Sequence, residues 1–194
     1  MFSRVKREGL KNIPKKGPYI MFANHTSYFD GPLIVITLPH SMRFDLFFVG
    51  FRAYFNIPVV RRLIKIARII PLDFSAQFME ALRSSYYVLK NGKNLCFFPE
   101  GMRTFDGKMV KFKRGFGILA KESGAKLLPV LIEGAFECWP RTSALPRRYP
   151  MKVKFGKPID VKDMEKKGLE MGAADSYEAI CLAARETLLN IAKE

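Results

Sequence analysis

Short apolar segments recur along the chain, each bounded by proline, glycine or charged residues. They are four to six residues long, which is typical of strands buried on both faces of a sheet. The pattern predicts strands over residues 18–23, 44–49, 95–98, 127–132 and 151–155. A further strand is expected at the isoleucine-rich segment that starts at Ile69.

The segments between these strands predict helices over residues 33–38, 58–70, 75–90, 117–122 and 173–193. Strands that alternate with helices predict an α/β fold with a largely parallel central sheet flanked by helices. We expect a single domain over residues 1–194, with a basic lead-in at 1–17. In such sheets, functional residues collect in the loops at the carboxyl ends of the strands.

The charge of the chain narrows the choice of partner. Its 33 lysines and arginines against 18 acidic residues give a net charge of +15, which indicates nucleic acid, a membrane surface or a phosphorylated substrate. Region 44–70 has the composition of a membrane-docking segment, although its aromatic residues could instead be core and its basic stripe solvated. Those residues are Phe47, Phe48, Phe51, Tyr54 and Phe55, followed by Arg61, Arg62, Lys65 and Arg68.

The cysteines and apolar runs indicate a cellular compartment. Cys96, Cys138 and Cys181 are widely spaced, and with only two histidines in the chain no metal site is expected. Sparse cysteines fit a reducing compartment. No apolar run approaches the roughly 18 residues that span a bilayer, and the basic N-terminal segment lacks the apolar core of a signal peptide. We therefore expect a cytoplasmic chain.

The first candidate site follows the first predicted strand, in the segment NHTSYFD. His25 and Asp30 lie five residues apart, a spacing that does not align them on a regular helix. Across a strand-to-helix turn, however, the two side chains can meet. The carboxylate would then fix the imidazole tautomer and leave the other nitrogen to take a proton from a substrate hydroxyl. The alternative is a capping aspartate beside a structural histidine.

A second cluster, FFPEGMRT, follows the third predicted strand. Arg103 and Thr104, beside a turn at Gly101, could hold an anionic oxygen through charge-assisted hydrogen bonds. Glu100 could orient Arg103 or bind a substrate hydroxyl. The alternative is a turn with a surface ion pair. The loop that follows is basic and includes Lys113, and a solvated charge run explains it equally well.

Taken together and in order, these segments resemble the glycerolipid acyltransferase family of the lysophosphatidic acid acyltransferase type. NHTSYFD matches its NHxSxxD signature, FPEGMRT its FPEGTRS and LPVLIEG its VPVxIxG. FKRG, which ends at Gly115, is similar to a further family segment. The resemblance covers about residues 15–160. It departs from the family after the isoleucine-rich strand, where Asp73 and Phe74 stand and the usual arginine is missing.

The resemblance implies acyl transfer from a thioester of coenzyme A or acyl carrier protein to the hydroxyl of lysophosphatidic acid, which gives phosphatidic acid. His25 would be the general base and Asp30 its orienting carboxylate, without a cofactor or metal. The enzyme would lie on the inner face of the membrane. The implied substrate-binding residues are Glu100, Gly101, Arg103, Thr104 and Lys113.

Two alternatives to this function stay open. One is an acyltransferase for another lysolipid or for an amino lipid, because the motifs are shared across those acceptors. The other is a basic nucleic-acid-binding domain. That class explains the charge but not the paired HTSYFD and FPEGMRT segments, so we expect no nucleic acid partner.

Overall fold

A single sheet of seven strands organises the fold. The computed structural model describes residues 5–51, 68–72 and 78–194. The strands are β1 (Val5–Glu8), β2 (Tyr19–Ala23), β3 (Leu46–Phe51), β4 (Ile69–Leu72), β5 (Asn94–Phe97), β6 (Lys126–Glu133) and β7 (Met151–Phe155).

The strand order is β1-β7-β6-β2-β5-β3-β4. Neighbouring strands from β6 to β4 are all parallel, whereas β7 runs antiparallel to β6. The expected α/β fold with a largely parallel sheet is therefore confirmed. Because β2, β5 and β6 point the same way, the segments that follow them emerge at one edge, called here the carboxyl edge.

Helices cover both faces of the sheet. On one face, Ile20 and Phe22 of β2 pack in a buried cluster with residues of four helices. On the other face, Met21 packs in a second buried cluster with residues of two helices. The helices are α1 (Asp30–Thr37), α2 (His40–Arg43), α3 (Phe78–Lys90), α4 (Arg114–Ser123), α5 (Ala135–Cys138), α6 (Val161–Glu170) and α7 (Ser176–Ile191). The first face carries α3, α4, α6 and α7. The second carries α1 and α5, and Met42 of α2 packs against it.

The sequence pattern does not predict strand β1 or helix α6, nor the four-residue helices α2 and α5. Strand β1 lies in the segment expected to be only a basic lead-in, and it pairs with β7 at the edge of the sheet. Three of its four side chains are exposed, so it shows no apolar alternation. Helix α6 buries Val161, Met164 and Gly168, which are spaced three and four residues apart as on one helical face. Most of its other residues are charged.

The prediction of a membrane-docking segment is wrong at Phe47 and Phe48. Phe48 is buried in one core cluster, and Phe47 packs against the other, because β3 lies inside the sheet and contributes to both faces. Ile69 and Ile70 belong to β4 and not to the predicted helix 58–70. The residues at 58–67, like Tyr54 and Phe55, lie outside the described residues. Within the part of the chain described, none of the helices has the length and apolar character to cross a bilayer.

Candidate active site

The NHTSYFD, FFPEGMRT and LPVLIEG segments meet at the carboxyl edge. Strand β2 runs into His25, β5 into Glu100 and β6 into Gly134. The Asn24 side chain joins two of these segments, since its amide donates to the Ile132 carbonyl and its carbonyl accepts from the Ile132 N–H, both at 2.8 Å. This buried side chain thus continues the β2–β6 ladder beyond the end of β2.

His25 and Asp30 meet as predicted. The Nδ1 atom of His25 lies 2.8 Å from Oδ2 of Asp30, whose carboxylate is fully buried. The same oxygen accepts the backbone N–H groups of Thr26 at 2.6 Å and Ser27 at 2.8 Å. The five-residue spacing works because Asp30 begins α1, where its side chain folds back over the preceding turn.

The histidine ring is held on its face as well as at its edge. It stacks on the ring of Phe98, with centroids 4.2 Å apart and planes tilted by 20°. The side chain keeps 23% of its surface exposed. With Nδ1 donating to Asp30, the Nε2 atom is the nitrogen that can accept a proton.

Glu100 holds the backbone of two segments. Its Oε1 atom accepts the N–H of His25 at 2.7 Å, and Oε2 accepts the N–H of Val110 at 3.0 Å. Burial raises the pKa of this carboxyl from an ordinary value of 4.5 to about 7, against the opposing effect of the two N–H groups. The observed contacts position His25, and direct binding of substrate by Glu100 stays a prediction.

Gly101 and Thr104 shape the loop between β5 and α4. Gly101 adopts a φ of 78°, which a side chain would disfavour, and its N–H donates to the Phe98 carbonyl. Thr104 donates its N–H to the His25 carbonyl at 3.0 Å. Its buried hydroxyl accepts the Gly107 N–H at 2.7 Å, so it stabilises the loop.

Arg103 lies against the NHTSYFD segment. Its Cζ atom stands 3.5 Å from the centre of the Tyr28 ring. On the other side, its carbonyl accepts a hydrogen bond from Nη1 of Arg141 at 3.1 Å. Sequence reasoning did not select Arg141 as a site residue, although it follows shortly after the LPVLIEG segment.

Lys113 joins the site through its backbone. It caps the start of α4, its N–H donates to the Pro99 carbonyl at 2.7 Å, and its side chain is exposed. From α7, Arg185 donates to the carbonyls of Met109 at 2.9 Å and Val110 at 3.2 Å. The loop before α4 is thus fixed to the C-terminal helix.

The cysteines stand apart from this chemistry. All three are buried and free. Burial raises the pKa of the Cys96 thiol and raises that of Cys181 to about 11, so both thiols are protonated at neutral pH. In the described ranges, His, Cys, Asp and Glu side chains form no cluster that could hold a metal ion.

Comparisons with known proteins agree with this arrangement. The Acyltransferase family model matches residues 4–133. A chloroplastic 1-acyl-sn-glycerol-3-phosphate acyltransferase of Arabidopsis thaliana is 29% identical over 163 residues, which are 81% of this chain and 44% of the relative. The enzyme of that name from Saccharomyces cerevisiae is 28% identical over 172 residues, 84% of this chain and 54% of its own.

A solved structure gives the same result at the level of the fold. The crystal structure of the 1-acyl-sn-glycerophosphate acyltransferase PlsC from Thermotoga maritima superposes with a TM-score of 0.77 and 28% identity. The match covers 98% of this chain and 72% of that one. The chain spans about half the length of the curated relatives it matches. Since the family model covers well over half of its residues, the chain belongs to the Acyltransferase family.

Proposed function

We propose that the protein transfers a fatty acyl group from a thioester to the free hydroxyl of lysophosphatidic acid and so makes phosphatidic acid. The observation that carries this proposal is the hydrogen bond between His25 and the buried Asp30 at the carboxyl edge. The names of the relatives support the choice of acceptor. The donor is acyl-coenzyme A or acyl-carrier protein.

The proposed chemistry begins with His25 as general base. Its Nε2 atom takes the proton of the acceptor hydroxyl while the alkoxide oxygen attacks the thioester carbonyl. The tetrahedral intermediate then expels the thiolate, which receives the proton from the imidazolium. The new ester bond replaces the thioester bond, and no metal or cofactor takes part. Asp30 holds the tautomer and stabilises the imidazolium.

General base catalysis accounts for about 10²–10⁴-fold of the rate. The remainder must come from positioning of the two substrates and from stabilisation of the oxyanion. Positioning is where Glu100 and Thr104 contribute, since both bond to the backbone of His25. In this mechanism Arg103 binds the phosphate of the acceptor, and the exposed Lys113 attracts the same anion.

The acceptor is a lipid, and the proposal therefore includes peripheral docking on the inner face of a membrane. Two exposed apolar side chains support docking at the carboxyl edge: Phe105 is 65% exposed and Leu145 is 77% exposed. Both belong to loops that follow strands ending at this edge. The net charge of +15 favours an anionic leaflet, where each basic residue near the surface contributes about 1 kcal/mol.

The test is thiol release from acyl-coenzyme A, and separately from acyl-carrier protein, with a panel of acceptors. The panel contains lysophosphatidic acid, other lysophospholipids, an amino lipid and no acceptor. We expect release that depends on lysophosphatidic acid, with phosphatidic acid as the product seen by mass spectrometry. Release that does not depend on an acceptor would contradict the proposal. So would the absence of release with both donors.

A further inference from the structure

We infer that Arg141 is a second cation for the phosphate of the acceptor, and that the pair of Arg103 and Arg141 selects a phosphate monoester over a diester head group. This inference rests on the proposed function and names the substrate class of the same site. The supporting observations are the anchoring of Arg141 to the first motif, its position beside Arg103, and its charge.

The segment before Arg141 is anchored to the turn that carries His25. The hydroxyl of Ser27 donates to the Trp139 carbonyl at 2.8 Å. Ser27 also forms an antiparallel bridge with Pro140, the residue before Arg141. The Trp139 ring packs against Tyr28, with centroids 4.8 Å apart. Arg141 is therefore held at the rim of the His25–Asp30 turn.

The side chain of Arg141 contacts the backbone of Arg103, and each arginine stacks on an aromatic ring of its own. Arg141 donates one N–H to the Arg103 carbonyl, and its Cζ atom lies 4.0 Å from the centre of the Phe105 ring. Arg103 is stacked in the same way on Tyr28. Ring stacking holds a guanidinium in place without using its N–H groups, so most donors of Arg141 remain for a ligand.

The charge of Arg141 calls for an anion. In the described part of the chain, the ion pairs between side chains do not include Arg141. By contrast, Arg114 on α4 is paired with Asp175. A phosphate monoester carries a charge of about −1.5 to −2 at neutral pH and three acceptor oxygens. Two arginines whose guanidinium groups both bind the phosphate would match that charge and geometry better than they match a singly charged diester.

The same contacts would fit a purely structural role, in which Arg141 only ties two loops together. The test therefore compares acceptors. Arg141→Gln keeps much of the stem and removes the charge, and Arg141→Lys keeps the charge but loses the fork. The matched control is Arg148→Gln, which removes the same charge from an exposed arginine in the same loop.

Steady-state kinetics with lysophosphatidic acid, lysophosphatidylcholine and monoacylglycerol give the readout. For Arg141→Gln we expect the KM for lysophosphatidic acid to rise about ten- to a hundredfold, the loss typical of a charge-assisted hydrogen bond. Its KM values for monoacylglycerol and for the thioester stay unchanged, and Arg141→Lys is intermediate. Arg148→Gln stays within about twofold of the parent chain.

Equal losses on lysophosphatidic acid and monoacylglycerol would overturn the inference, as would equal effects of the Arg141 and Arg148 variants. If the parent chain transfers no acyl group to any acceptor, the proposed function fails, and a binding measurement still tests the inference. Calorimetry with glycerol 3-phosphate on the His25→Ala protein should then show binding that Arg141→Gln weakens about tenfold or more. Unchanged or absent binding overturns the inference.

Discussion

Asp30 concentrates three donors on one oxygen. Its Oδ2 atom receives His25 Nδ1 and the N–H groups of Thr26 and Ser27, and its carboxylate is fully buried. The side chain therefore does two things at once, since it closes the turn and orients the base. The closing of the turn affects stability, and the orientation of the base affects the rate.

Replacing Asp30 with Asn separates these two effects. The amide oxygen can still accept the turn N–H groups, but the negative charge beside the imidazolium is lost. We expect kcat to fall about 10²–10⁴-fold and the free energy of unfolding to fall by about 1–3 kcal/mol. The control Asp45→Asn removes a half-exposed carboxylate paired with Lys93 and should change neither quantity appreciably. An Asp30→Asn enzyme with most of its activity would contradict the role given to the pair.

Glu100 makes stability depend on pH. Its folded-state pKa of about 7 lies above the ordinary value of 4.5, because burial disfavours the charged form. The stabilisation is therefore complete below pH 4.5 and is lost as the pH rises towards 7. A pKa rise of this size corresponds to about 3 kcal/mol.

Urea unfolding of the parent chain and Glu100→Gln at several pH values measures this effect. We expect the parent chain to lose about 3 kcal/mol relative to the variant between pH 4.5 and 7.5, whatever the absolute stability of the variant. The comparison cancels the titration of the other groups. Parallel pH profiles of the two proteins would show that Glu100 is not buried as described.

At the scale of elements, close helix packing fixes α7, which in turn holds the loop before α4 through Arg185. A Cβ atom at Gly168 of α6 would lie 1.9 Å from the Ala179 carbonyl oxygen, and one at Gly117 of α4 would lie 2.2 Å from that of Tyr177. Both helices can approach α7 this closely only because they carry glycine there.

Gly168→Ala should therefore destabilise the protein by about 1–3 kcal/mol, the usual cost of overpacking. The sign is informative, because glycine to alanine inside a helix otherwise stabilises by up to about 1 kcal/mol. Gly31→Ala in α1 is the matched control, since its Cβ would meet nothing nearer than 3.8 Å. Thermal and urea unfolding of both variants give the comparison; a Gly168→Ala protein as stable as the Gly31→Ala protein would refute the close packing.

At the scale of the whole molecule, the hydrophobic pattern predicted the features that depend on short segments of the chain. The apolar runs of β2, β5, β6 and β7 identified the strands, and the turn between β2 and α1 brought His25 to Asp30. The antiparallel direction of β7 could not be predicted, because the pairing of strands depends on contacts between segments that are distant in sequence. The contact of Glu100 with His25, 75 residues away, could not be predicted for the same reason. Nor could the contact of Arg141 with Arg103, 38 residues away.

The net charge of the molecule can be counted from the sequence, but the place where it meets an anion cannot. A net charge of +15 indicated an anionic partner without saying where it binds. The structure brings Arg103 and Arg141 together beside His25 and leaves Lys113 exposed at the start of α4. The charge is therefore available at the edge where the proposed chemistry takes place.

The most direct test of the central claim compares the two histidines. Acyl transfer to lysophosphatidic acid is followed by thiol release for the parent chain, His25→Ala and His40→Ala, the last removing an exposed histidine of α2. The account predicts a loss of at least about 10²-fold for His25→Ala with unchanged circular dichroism, and near-normal rates for His40→Ala. A folded His25→Ala protein that keeps most of its activity would contradict the account.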